Sequence, residues 1–274
     1  MDIVNLVDFV KAGELFDKVD GIFDQVVSDF DFGDLENFIK INTILDFDKI
    51  DKSKSTLFVL DNLLPENVSD FFDMKNFCIL DLNFGIYGYG HKNGISKIDL
   101  GYILNNGIDI YEPFDLLSLL HNIEKTGNKY IRIDSKNLPG GFSDESENNI
   151  VFMDKHGLSG DAFCIVTTGS MLPEIVRTVN ILNDDGLFVD VFVLNKLNFD
   201  LDKKIKEKLS NTKNLVFISD LFNSDNYEKW IKTKIKGVNL KFVYPKYENL
   251  STVLNEYKAE ETKFDALGLV ERLK

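Results

Sequence analysis

The stretch DAFCIVTTGSMLPEIVRTVNILNDDGLFVDVFVL (161–194) decides the fold class, because it holds a strand, a helix and a second strand in succession. Its first apolar run, FCIVTTG (163–169), is short and β-branched, as buried strands are. A helix with one apolar face is predicted to begin at Ser170 and to end at Gly186. The run LFVDVFVL (187–194) predicts the next strand, so the segment forms a right-handed βαβ unit.

The same alternation continues along the chain and predicts an α/β protein. Six further apolar runs have the length and composition of buried strands: STLFVL (55–60), FCILDL (77–82), IDIYEP (108–113), KYIRI (129–133), LVFIS (215–219) and LKFVYP (240–245). A second amphipathic helix is predicted after Phe114, with Gly127 as its stop.

Two domains are predicted from the break in this alternation. Residues 134–149 are polar, rich in Gly and Ser, and without periodicity, which is typical of a linker. We therefore expect one domain over residues 1–140, a linker over 134–160, and a second domain over 161–274.

Composition and charge exclude several classes of protein. The 274 residues are 44% apolar, which is enough for packed cores, and the net charge of −14 disfavours nucleic acids and anionic membranes as partners. No apolar run approaches the length of a membrane span, and the N-terminus has no secretory signal. Cys78 and Cys164 lie in apolar runs, which favours reduced thiols in a cytoplasmic protein. Three histidines without clustered cysteines argue against structural zinc.

Three segments are candidates for chemistry. FGIYGYGHKNG (84–94) lacks the spacing of a dinucleotide loop, but it suits a ligand-lining loop in which His91 and either Tyr87 or Tyr89 face the ligand. TTGSM (167–171) either binds an anion at a helix N-terminus or forms a turn in which Ser170 caps the helix. Glu36 lies in GDLENFIKINTIL (33–45), which has a helical apolar stripe, and by itself it is a surface acid.

The second half of the chain resembles the C-terminal domain of the transketolase family. Residues 161–220 are similar to the order of features in that domain. These are an Asp-led strand, a Thr-x-Gly-Ser-Met segment, a helix and a Gly-x-x-Val-x-Val strand. The family's Leu-x-Pro-Leu-Asp turn is here Leu197-Asn198-Phe199-Asp200, without the proline. The tail TKFDALGLVERLK (262–274) is similar to the family's Leu-Asp-Ala-x-Gly-Ile end.

The first half resembles a shortened pyrimidine-binding domain of the same family. Residues 88–133 follow the family order of a Gly-rich segment with His, an acidic helix, Pro-x-Asp and Pro-Val-Tyr-Ile-Arg; the last is Tyr130-Ile131-Arg132 here. Upstream, FDFGDLENF (30–38) is similar to Gly-Ile-Ala-Glu-Gln-Asn, and Glu36 then matches the catalytic glutamate. The Gly-Asp-Gly and downstream Asn of the family's magnesium–diphosphate domain have no counterpart in the chain.

The resemblance implies a fold of two three-layer α/β domains, the first with a mainly parallel sheet and the second with a mixed sheet. It implies that Glu36 and His91 are catalytic and that Glu36, Phe58 and Tyr87 contact thiamine diphosphate. It also implies a dimer, and a larger partner subunit that holds Mg²⁺ and the diphosphate. The activity is then ketol transfer between sugar phosphates. The alternatives are the β subunit of a 2-oxoacid dehydrogenase, a catalytically silent scaffold subunit, or an unrelated α/β binding module.

Overall fold

The computed structural model describes residues 4–33, 35–42, 44–60, 71, 73–74, 76–82, 100–133, 137–138, 150–153, 163–200, 212, 214–220, 225–244 and 264–274. The strands are β1 (Val4–Asn5), β2 (Gln25–Ser28), β3 (Phe38–Lys40), β4 (Thr56–Leu60), β5 (Phe77–Asp81), β6 (Asp109–Tyr111), β7 (Lys129–Arg132), β8 (Asn137–Leu138), β9 (Ile150–Met153), β10 (Cys164–Thr168), β11 (Asp190–Leu194), β12 (Asn214–Ile218) and β13 (Asn239–Val243). The α-helices are α1 (Leu6–Lys11), α2 (Phe16–Val19), α3 (Leu100–Asn105), α4 (Leu116–Glu124), α5 (Leu172–Asp184), α6 (Asp225–Lys234) and α7 (Ala266–Leu273).

Two separate sheets confirm the predicted fold class of two α/β domains. The first sheet has six parallel strands in the order β3-β2-β4-β5-β7-β6. The second has five strands in the order β13-β12-β10-β11-β9, and β9 alone runs antiparallel to its neighbour. Every residue of β4 and β5 is buried, as expected for central strands that are covered on both faces.

The eight strands predicted from apolar runs are all present, and so are the two predicted helices. Asp115 begins α4 with a capping box, in which its carboxylate accepts the Ser118 N–H at 2.6 Å. Gly186, at φ +80°, ends α5 in the left-handed conformation that favours glycine.

Part of the predicted linker is structured. β8 pairs with β1, and β9 pairs with β11, so the second sheet begins before residue 161. The strand IVFM follows directly on a polar stretch, and this position hid it from the sequence pattern.

Three buried clusters form the core. One lies between α1, α2, α4 and the first sheet, and another lies between α5, α7 and the second sheet. The third is shared, since it joins Phe58 and Ile110 of the first sheet to Phe192 and Phe217 of the second. The two sheets therefore pack against a common apolar region.

No helix in the described ranges is both long and apolar enough to cross a bilayer.

Candidate functional site

A cluster of buried polar side chains lies where four parallel strands end. Glu112 directly follows β6, Arg132 ends β7, and Ser170 and Asp220 lie just beyond β10 and β12. All four residues are at most 6% exposed. The cluster therefore joins the carboxyl ends of strands from both sheets, and we call it the interdomain cluster.

Arg132 lies between the two acids of this cluster. Its guanidinium makes a close ion pair with Glu112, and its second terminal nitrogen is 3.8 Å from Asp220 Oδ1. The Ser170 hydroxyl is 2.8 Å from Glu112 Oε2, 3.2 Å from Asp220 Oδ1 and 3.1 Å from Thr168 Oγ1. Both acids thus contact one guanidinium and one hydroxyl away from water.

Burial dominates the electrostatics of the cluster. It raises the pKa of Glu112, and the Asp220 charge raises that pKa further, while Arg132 and the hydroxyls of Thr168 and Ser170 oppose the rise. Burial also raises the pKa of the nearby Tyr227 far above its usual value, so that this phenol stays neutral.

The segment after β11 closes the edge of the first sheet. Asn195 O accepts the Glu112 N–H at 2.8 Å, and Ile110 O accepts the Leu197 N–H at 2.8 Å. The buried amides of Asn122 and Asn195 also bond to each other, at 2.6 and 3.2 Å. Because β6 is an edge strand, these contacts cover backbone groups that would otherwise be open.

The TTGSM segment serves this contact between the sheets. Residues 169–171 form one turn of 3-10 helix, and α5 then begins at Leu172, so the predicted helix start lies close to Ser170. Of the two alternatives for this segment, the turn in which Ser170 caps the helix is wrong, because no side chain caps either helix and the Ser170 hydroxyl contacts Glu112 and Asp220 instead.

Gly169 allows the two domains to approach. A Cβ there would lie 2.6 Å from the Pro113 carbonyl oxygen and closer still to that of Glu112. We expect Gly169→Ala to lower the free energy of unfolding by about 1–3 kcal/mol, because backbone atoms on both sides would have to move. Urea denaturation measures this loss. Leu267→Ala, at a residue that is 66% exposed, is the control and should change stability by less than about 0.5 kcal/mol.

Glu36 lies in an exposed turn before β3. The predicted helix over this segment is wrong, since Phe38 and Ile39 pair with β2 in the parallel sheet. Glu36 thus stands at the amino end of β3, whereas parallel sheets bind ligands beyond the carboxyl ends of their strands. Its catalytic role stays a prediction.

The other predicted site residues divide into two groups. Phe58 is fully buried within β4, with its ring centroid 4.5 Å from that of Phe71 in an edge-to-face contact. Its ring is enclosed by the core, so the described surroundings leave it no open face. Tyr87 and His91 lie outside the described residues.

Asp46 is a carboxylate that the sequence analysis missed. It lies in the 3-10 helix Ile44–Lys49 that follows β3, and its side chain is 15% exposed. Its carboxylate accepts the Asn42 N–H at 2.7 Å and contacts Lys49 Nζ at 2.6 Å. Asp46 therefore lies beyond the carboxyl end of β3, the side on which parallel sheets bind ligands. The signal in the sequence was an acid a few residues after the apolar run FIKI.

The described residues do not by themselves fit an aminopyrimidine ring. Neither exposed Glu36 nor enclosed Phe58 offers a lined site for it. Among the described residues, no group of three or more His, Cys, Asp or Glu side chains could hold a metal ion.

Solved structures identify the fold, although the sequence matches no protein-family model and none of the curated proteins. A split-gene transketolase, an inactive beta4 tetramer, superposes with a TM-score of 0.68 over 99% of this chain and 97% of that one, at 13% identity. The chain has a transketolase fold. The resemblance stated from the motifs is thus confirmed at the level of the fold.

Full-length transketolases extend the comparison. A variant from Pichia stipitis in complex with fructose 6-phosphate matches with a TM-score of 0.61 and 16% identity, over 80% of this chain and 33% of its own. Transketolase from Campylobacter jejuni matches with a TM-score of 0.61 and 11% identity, over 80% of this chain and 35% of its own. The chain therefore spans about one third of these transketolases, whereas it spans nearly all of the split-gene chain.

Proposed function

We propose that this chain is the smaller, C-terminal subunit of a split transketolase-like enzyme that transfers two-carbon ketol units between sugar phosphates. The observation that supports this best is the match over nearly all of both chains to a split-gene transketolase. That relative is inactive as a tetramer of its beta chain. We expect the present chain, likewise, to self-associate and to need a second kind of subunit for activity.

The partner in this proposal is a larger subunit with the diphosphate-binding domain. From the resemblance, we propose that it holds Mg²⁺ and shares thiamine diphosphate with this chain. What this chain supplies in the proposal is the pyrimidine-binding-like domain and its C-terminal domain.

In the proposal, which here follows the motif similarity, Glu36 is the catalytic carboxylate, His91 is also catalytic, and Tyr87 contacts thiamine diphosphate. Asp46 competes with Glu36 for this role because of its place beyond β3 and its lower exposure. The two acids differ in position and burial, so substitution of each can tell them apart.

A catalytically silent subunit of the same fold is the second candidate function. The exposure of Glu36 and the enclosure of Phe58 in the chain alone support it. The silent subunit would still bind the larger chain but would add nothing to turnover.

Complex formation tests the subunit role. The partner is sought as a neighbouring open reading frame that carries Gly-Asp-Gly and a downstream Asn, and it is co-expressed with this chain. Light scattering should show a self-associated chain alone and a larger mixed complex with the partner. A stable monomer at micromolar concentration, with and without the partner, would contradict the proposal.

A further inference from the structure

The Ser170 hydroxyl carries one hydrogen but lies next to two carboxylate oxygens that could each accept it. Its oxygen lies within hydrogen-bonding distance of two carboxylate oxygens, Glu112 Oε2 at 2.8 Å and Asp220 Oδ1 at 3.2 Å. One hydroxyl donates one hydrogen, so it serves one of these oxygens. A three-centre bond would divide that hydrogen between both oxygens and weaken each contact, whereas a proton on one carboxyl lets it donate to Ser170 and gives each contact its own hydrogen.

The charges of the interdomain cluster lead to the same requirement. Within the described part of the chain, Arg132 is the cation that contacts these acids, and it faces two carboxylates. Ionisation of both acids would leave one uncompensated negative charge in a site that water does not reach. A proton shared by the acids removes that charge.

We propose that the interdomain cluster is a proton-binding site, in which Glu112 and Asp220 share one proton through Ser170 at neutral pH. The proton joins the two domains, since Glu112 follows a strand of the first sheet, whereas Ser170 and Asp220 follow strands of the second. This site is independent of any cofactor and of the proposed activity.

Among the residues that the structure describes, the other groups near the cluster do not supply the missing positive charge. Thr168 contributes a neutral hydroxyl next to Ser170, and Tyr227 on α6 stays neutral because burial raises its pKa. Asp81 ends β5, the strand next to β7. It is a further buried acid, and its carboxylate accepts a hydrogen bond from the Tyr130 hydroxyl. The raised pKa of Glu112 agrees with proton retention.

The sign of the pH dependence follows from the retained proton. The folded chain binds one proton more than the unfolded chain between the usual glutamate pKa, about 4.3, and the raised value in the folded state. The unfolding equilibrium constant should therefore increase with pH in this window, by up to about tenfold per pH unit. The stabilisation is complete below the window and is lost as the pH rises through it.

Urea denaturation at a series of pH values tests the site. Glu112→Gln keeps the shape and donates a fixed hydrogen to Ser170, so the extra pH dependence should disappear while the fold is retained. Asp220→Asn should abolish it as well, because Arg132 then faces a single carboxylate. The control is Glu174→Gln, since Glu174 is also buried, at 7% exposure, but pairs with Arg177 at 3.1 Å and accepts a hydrogen bond from the Ala266 N–H. This variant should keep the wild-type pH dependence of the cluster.

Infrared spectroscopy of the wild-type chain gives an answer that needs no variant to fold. The carbonyl stretch of a protonated carboxyl should be present at neutral pH, and it should be missing in whichever of the two variants folds. An absence of this band in the wild type would overturn the proposal. Variants with the same pH dependence of unfolding as the wild type would do so too.

Discussion

Replacing Arg132 by methionine is expected to lower the free energy of unfolding by about 3–5 kcal/mol at neutral pH. The methionine fills much of the volume, but it leaves Glu112 and Asp220 buried without their cation. Removal of one partner from a buried ion cluster is far more costly than removal of a surface pair. The loss should be smaller at about pH 5, because removal of Arg132, which lowers the pKa of Glu112, lets this buried carboxyl take up a proton and lose the charge that the cation compensates.

Urea denaturation of wild type and variant at both pH values measures this effect. Arg177→Met is the matched control, since Arg177 also pairs with a glutamate, at 3.1 Å, but its side chain is 68% exposed. A screened surface pair of this kind contributes less than about 1 kcal/mol. Equal losses from the two variants would mean that the interdomain cluster does not hold the domains together.

Replacing the proposed catalytic carboxylate is expected to lower turnover of the proposed two-subunit enzyme by about 10²–10⁴-fold, the usual contribution of a positioned acid or base. Glu36→Gln and Asp46→Asn each remove one carboxylate and keep its size. If the motif similarity identifies the residue, Glu36→Gln loses activity and Asp46→Asn does not. If the catalytic residue is instead the one that lies beyond the carboxyl end of β3, Asp46→Asn loses activity and Glu36→Gln does not.

The readout is ketol transfer by each variant together with the larger subunit, with light scattering to confirm that the complex still forms. Lys40→Met is the control, because it removes an exposed charge from the same strand, 3.5 Å from Asp31. Full activity in both acid variants would remove both residues from the chemistry. The silent-subunit interpretation would then take first place.

The sequence predicts the buried parallel strands well, because their apolar runs are short, β-branched and bounded by turns. It fails where strands are brief or set among polar residues. β3 has three residues, and its sequence FIK also fits a helical stripe, so that only pairing with β2 decides between them.

The interdomain cluster could not be derived from local patterns, because its members come from four distant strand ends. A signal was nevertheless present in the sequence. Glu112 and Arg132 each stand at the end of a strongly apolar run, where a charged residue must find a partner once the strand is buried. The sequence shows that each needs a partner, but only the fold shows that Asp220 and Ser170 supply it.

A ketol-transfer assay is the direct test of our proposal that this chain completes a transketolase-like enzyme. The larger subunit, thiamine diphosphate, Mg²⁺ and a pair of sugar phosphates are mixed with and without this chain. We expect turnover only when both subunits are present, and none from either one alone. Equal turnover by the larger subunit with and without this chain, in a complex that light scattering confirms, would contradict the claim.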